Sequence, residues 1–189
     1  MPHIHVADVA ASVQRALDLG GHVLMHSKDE WAVLLDPNEA AFGIIPVVPA
    51  EAIPPADAVP MGSIRWLDLT VSDASATQDF YQQVVEWSVD SVEMDDGGNH
   101  YVDHNMLGED GTPVAGICHA RGENLGLPPV WMIYLPVGNF TESLSRVEEE
   151  GGKVIKVKQG KDGEYVCATV QDPVGAYLGL MPGRELNYT

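Results

Sequence analysis

The sequence predicts an α+β protein of repeated β-α-β-β-β modules, in which paired modules curl a mixed sheet around a cleft with helices outside. Two observations carry this reading. Asp8, Gly20-Gly21 and Asp36-Pro37 recur as Asn139, Gly151-Gly152 and Asp172-Pro173, with the same spacing from helix anchor to glycine pair. A looser third copy starts at Ile64 and runs to His119. Self-similarity on this scale marks a copied supersecondary unit.

In the first module, Ile4 and Val6 alternate with His3, His5 and Ala7 as a strand does. Asp8 caps a helix with Val9, Val13, Ala16 and Leu17 on one face, and Gly20-Gly21 ends it. Apolar runs His22–His26, Trp31–Leu35 and Ala40–Pro46 follow, separated by polar turns. The second module reads as a strand at Ile64–Val71, a helix at Ala74–Glu86, and strands at Ser88–Met94, His100–Leu107 and Val114–Ala120. Its hairpin turns are Asp95–Asn99 and Gly108–Gly111. The third places strands at Val130–Val137, Lys153–Lys158, Tyr165–Val170 and Ala176–Met181 around a helix at Phe140–Glu150.

One four-stranded module with a single helix leaves a sheet face bare. Residues 63–183 are therefore expected to form a complete two-module domain, with 50–62 as a Pro/Ala-rich linker and 184–189 as a tail. Residues 1–49 become a single unpaired module. Its apolar strands call for cover, most simply from a second copy in a two-fold homodimer; the alternative is that the module packs on the outside of its own two-module domain in a monomer.

Charge narrows the partners. The 28 acidic against 10 basic side chains give a formal net charge of −18, which repels nucleic acid and anionic membranes. No apolar run approaches the ~20 residues of a membrane helix. The start Met1-Pro2-His3-Ile4-His5 lacks a signal-like core, so a cytoplasmic location is expected. Cys118 and Cys167 sit in apolar strands and read as reduced thiols.

The module order, Asp73 at a helix start followed by Asp79-Phe80-Tyr81, and the Asp172-Pro173-x-Gly175 turn together resemble the vicinal oxygen chelate superfamily. That group includes glyoxalases, bleomycin-resistance proteins and extradiol dioxygenases. Trp66-Leu67-Asp68-Leu69, Pro113–Ile117 and Trp131-x-x-Tyr134 look closest to a glyoxalase-like or putative-hydroxylase branch. In metal-dependent members, a His or Gln of the first strand and a Glu of the last strand of each module hold a divalent ion. Here those positions fall on Trp66 and Gly116, on Met132 and Gly179, and on Met1 and Gly43. None offers the imidazole or carboxylate such an ion needs, so no metal is expected there. No cofactor is expected, and a divalent ion elsewhere stays open.

The resemblance implies a small-molecule pocket between the two C-terminal modules. Trp66, Asp68, Met132, Tyr134 and Tyr177 would line it and suit an apolar or aromatic ligand. The alternative is a lyase, isomerase or oxygenase acting on a small metabolite. Its candidate residues are Asp68 as a base, and His104 with Cys118, which a simple hairpin register turns toward the same cleft.

Overall fold

A computed structural model describes residues 1–52 and 63–183. Most of the expected linker and the tail at 184–189 lie outside the described residues. Three β-α-β-β-β modules are present. The first has β1 (His3–Val6), α1 (Val9–Asp18), β2 (His22–Ser27), β3 (Trp31–Leu35) and β4 (Ala41–Pro46). The second has β5 (Trp66–Val71), α2 (Ala74–Val85), β6 (Ser88–Asp96), β7 (Asn99–Leu107) and β8 (Pro113–His119). The third has β9 (Trp131–Val137), α3 (Phe140–Glu149), β10 (Lys153–Gln159), β11 (Tyr165–Gln171) and β12 (Tyr177–Pro182). The fold is α+β with mixed sheets, as the periodicity predicts.

The repeated residues do the same job in each copy. Asp8, Asp73 and Asn139 sit in extended backbone, and each side chain accepts the third backbone N–H beyond it, at 2.9, 2.9 and 3.1 Å. Such a cap contributes about 1 kcal/mol. Gly20 and Gly151 have φ of +89° and +84° and turn the chain out of α1 and α3. Their neighbours close the turn: Gly21 N donates to Ala16 O and Gly152 N to Val147 O, both at 2.8 Å. A methyl group on Gly152 would stand 2.7 Å from Gln171 O, which explains the second glycine of each pair. α2 ends instead on Glu86, at φ 62°, so the middle copy is looser in sequence.

The Asp-Pro turns also repeat. Asp36 N bonds Ala40 O at 3.0 Å, and the Asp36 carboxylate accepts Asn38 N and Ala40 N at 2.8 and 2.9 Å. Asp172 does the same with Ala176 O, Val174 N and Ala176 N.

Among the described residues the chain divides into two compact units, one holding 1–52 with 68–131 and the other 63–67 with 132–183. In the first unit, α2 of the second module packs against the first module. Its sheet, ordered β1-β4-β3-β2, buries Ile4, Val6, Ala32, Leu34, Phe42 and Ile44 on one face. α1 covers part of that face, and α2 supplies Phe80 and Tyr81, whose rings meet Phe42 with centroids 6.1 and 5.1 Å away. Arg15 reaches from α1 to Val84 O at 3.1 Å, and Asn38 Nδ2 donates to Thr77 Oγ1 at 3.0 Å. This face of the first module is thus covered within the chain, by α1 and α2.

The same interface buries a polar chain. The Trp131 indole donates to the Tyr81 hydroxyl at 2.8 Å, and that hydroxyl donates to Asp36 Oδ2 at 3.2 Å. Asp36 is 1% exposed, and burial raises its carboxyl above the ordinary range despite four hydrogen bonds. The folded protein therefore holds this proton more tightly than the unfolded chain. Stability falls as pH rises from the ordinary carboxylate value of 3.8 through the raised folded value. Urea midpoints taken across pH 4–7 should show Asp36→Asn gaining on the wild type with rising pH, whatever constant offset the amide brings. A pH-independent difference would refute the shift.

In the second unit, Phe140, Ala168, Val170 and Leu180 form the core under α3, with Leu135, Val137, Leu144 and Val147 around them. A cavity of about 340 Å³ lies between α3 and the sheet, bordered by Val147, Val170 and Leu178. Among the described residues, no helix is long and apolar enough to cross a membrane.

Candidate functional site

The register of the parallel strand pairs places the anticipated site residues. His3 lies opposite Gly43, Asp68 opposite Gly116, and Tyr134 opposite Gly179. In all three modules the last-strand glycine stands beside the side chain two residues past the vacant first-strand position. Side chains alternate across a strand. In the second unit Leu135, Val137, Val170 and Leu180 pack toward α3, so Met132, Tyr134, Thr169, Tyr177 and Gly179 share the opposite face. Arg65 N donates to Tyr134 O at 2.9 Å, which sets the start of β5 against β9.

The glycines are platforms rather than vacancies. A side chain built on Gly179 would enter the Tyr134 ring, and one on Gly43 would come within 2.9 Å of the His3 ring. Tyr134 and Met132 are buried at 6% and 2% exposure, and Thr169 Oγ1 donates to Met132 Sδ at 3.7 Å. These residues do not fit a divalent ion: the glycines carry no donor, a thioether is a soft ligand, and a phenol ring fills the space. No group of three or more His, Cys, Asp or Glu able to hold a metal occurs among the described residues.

In the first unit, Leu69, Val71, Met106 and Ile117 are buried on the side of α2. Asp68 and Thr70 therefore lie on the other face, beside Gly116 and Cys118. His104 departs from expectation. Its partner across β7 and β8 is Ile117 rather than Gly116, because a bulge between Met106 and Leu107 shifts the register by one residue. A one-residue slip reverses every facing. His104 is accordingly buried toward α2, with Nε2 3.4 Å from Ser75 Oγ, and does not share a face with Cys118. Burial, and then the nearby His119, lower its pKa. Cys118 is half-buried and unbridged, as is Cys167.

Asp103 takes the position opposite Cys118 and makes the contact the sequence reading missed. Its Oδ1 accepts both His119 N at 2.8 Å and His119 Nδ1 at 3.1 Å. The Tyr101 ring stands nearly perpendicular to the imidazole at 5.7 Å, and the Arg121 guanidinium lies 4.4 Å over the same ring. Arg121 also pairs with Asp96 at 3.6 Å. Partial burial, then the Asp103 charge, raise the Tyr101 phenol. The sequence held one signal for this cluster: the Gly108–Gly111 loop, whose closure at Gly108 N to Thr112 O leaves room for the bulge.

No family model matches the chain. It is 29% identical over 119 residues to "Putative glyoxylase CFP32" of Mycobacterium tuberculosis (strain CDC 1551 / Oshkosh), covering 63% of this chain and 45% of that protein. It is 28% identical over 142 residues to "Anthracycline biosynthesis protein DnrV" of Streptomyces peucetius, covering 66% and 50%. The chain thus spans about half the length of the curated relatives it matches. Among solved structures, glyoxalase I from Zea mays superposes with a TM-score of 0.54 at 16% identity, over 96% of this chain and 66% of that one. The 2,2',3-trihydroxybiphenyl 1,2-dioxygenase of Sphingomonas wittichii strain RW1 gives a TM-score of 0.55 at 15% identity, over 96% and 68%. At those identities the structural likeness is one of fold. The module repeats, that fold and the sequence likeness to a putative glyoxylase together support the vicinal oxygen chelate superfamily.

Proposed function

We propose that the chain binds a small planar aromatic or apolar molecule against the helix-free sheet face of its third module, without the superfamily's metal. The observation that carries this is the aromatic and thioether lining of the ligand positions: half-buried Tyr177 shares a face with buried Tyr134, which lies over Gly179, and with buried Met132. Trp66 adds a further ring from the start of β5. Aromatic and thioether side chains give an adaptable wall that stacks on a flat ligand. The relative named for anthracycline biosynthesis supports a polycyclic aromatic occupant. Titration with an anthracycline should quench the tryptophan fluorescence saturably. Tyr134→Ala should weaken capture about tenfold or more, equivalent to ~1.4 kcal/mol, while Tyr134→Phe retains it. Unsaturable quenching, or equal capture by the alanine variant with native circular dichroism, would overturn the proposal.

A second reading, an enzyme acting on a small metabolite, draws on the Asp103–His119 pair. Association of two copies through residues 1–49 is likewise a proposal, supported by the outer edge of β1, which among the described residues is paired only with β4.

A further inference from the structure

We propose that the groove beneath α3 is a docking site for an amphipathic helix of another polypeptide, one that presents adjacent aromatic rings to the groove and a carboxylate at its C-terminal end. The groove lies on the α3 side of the sheet and Tyr134 on the other, so the inference stands apart from the aromatic-ligand reading.

The internal repeat shows what such a surface holds. With Asp8 matched to Asn139 and Asp36 to Asp172, the cavity of about 340 Å³ is bordered by Ser143, Arg146, Val147, Asp172 and Leu178. Their counterparts in the first module are Ser12, Arg15, Ala16, Asp36 and Phe42. There α2 is the occupant. Tyr81 sets its ring on Phe42 and its hydroxyl on Asp36, and the Phe80 ring meets Phe42 edge-on. Arg15 receives the end of the helix, donating to Val84 O at 3.1 Å and pairing with Glu86 at 3.2 Å. Ser12, Ala16, Asp36 and Phe42 are buried as a result, whereas Ser143, Val147, Asp172 and Leu178 are only partly covered. The third module thus repeats the apolar floor, the carboxylate and the cation. α3 is the one helix its compact unit holds among the described residues.

Arg146 is exposed at the rim of the groove, where a cation favours a carboxylate and the negative end of a docking helix. Two further positions differ from the first module and describe the partner. Val174 stands where Asn38 bonds Thr77, and at 91% exposure it calls for an apolar residue in place of that threonine. Glu150 stands where Leu19 borders the same hollow as Gln83, which calls for a basic residue there. A second copy of the chain does not supply such a helix. Its Phe80 and Tyr81 are already buried, and neither α1 nor α3 exposes an aromatic ring.

The probe is a fluorescein-labelled peptide of residues 73–86 carrying Thr77→Val and Gln83→Lys, bridged between positions 75 and 79, on its exposed side, to hold the helix. Its anisotropy should rise saturably with the full chain at micromolar concentration. Tyr81→Ala in the peptide and Leu178→Glu in the protein should each weaken capture about tenfold or more. Arg146→Glu should also weaken it, and Glu86→Lys in the peptide should restore capture by that variant alone. Unsaturable binding of a peptide that circular dichroism shows to be helical, or equal affinity of Arg146→Glu for both peptides, would overturn the proposal. A dimer of the chain alone, seen by light scattering and dissolved by Arg146→Glu, would overturn it too, because a second copy would then be the occupant. Arg146 is exposed, so the charge exchange decides even if Leu178→Glu fails to fold.

Discussion

Tyr81→Ala is expected to cost about 3–5 kcal/mol, enough to unfold much of a protein of ordinary marginal stability. The side chain is fully buried, and its ring meets Phe42, Phe80 and Trp131 at 5.1–5.2 Å and stacks on Trp87 at 6.2 Å. Its hydroxyl is the middle member of the chain from Trp131 to Asp36. Burial holds the phenol well above its ordinary pKa, so at all ordinary pH it is the neutral donor that Asp36 needs. Tyr81→Phe keeps the ring but orphans the indole N–H and leaves Asp36 Oδ2 with only the 3.5 Å bond from Asn38 Nδ2, at an expected cost of about 1–3 kcal/mol. Adding Trp131→Phe to that variant should cost less than the two single changes summed, because the shared bond is lost only once. Urea unfolding of the four proteins measures this. Strict additivity would show that the polar chain contributes nothing of its own.

The next largest effect is expected at Gly179. A methyl group there enters the Tyr134 ring close to its point of attachment, and Tyr134 is only 6% exposed, so the ring has nowhere to swing. Gly179→Ala should therefore cost about 1–3 kcal/mol from overpacking, and Tyr134→Ala in the same chain should recover part of the loss. Gly43→Ala is the internal control. It meets the His3 ring in the same way, but His3 is exposed and can rotate into solvent, so its cost should be smaller. Thermal unfolding of both variants decides. Equal destabilisation would mean that strand backbone, rather than the facing ring, rejects the side chain.

The sequence by itself determined the modules, because their signals are local. A cap at Asp8 or Asn139, a glycine pair at the helix end and an Asp-Pro turn each act over a few residues, and alternation or helical spacing fills the gaps. The strand and helix boundaries consequently lie within about two residues of those read from periodicity. The absence of ligand donors at Gly43, Gly116 and Gly179 was also legible, since it depends only on residue type. That Tyr134 and His3 fill the space beside those glycines was not, because it depends on ring positions across a strand pair.

Tertiary structure alone decided which face met which. One bulge between Met106 and Leu107 reverses the facing of His104 relative to Cys118, and it sets Asp103 against His119. A register slip of one residue changes no propensity and leaves no trace in composition, yet it moves a histidine from an anticipated cleft into a core. The cover of the first module was equally hidden. Phe80 and Tyr81 stand in the sequence as part of a motif of the second module, and only their approach to Phe42 and Asp36 shows that they serve two modules at once. Local chemistry fixes elements within a few residues, whereas the pairing of faces across tens of residues is set by packing the whole chain satisfies together.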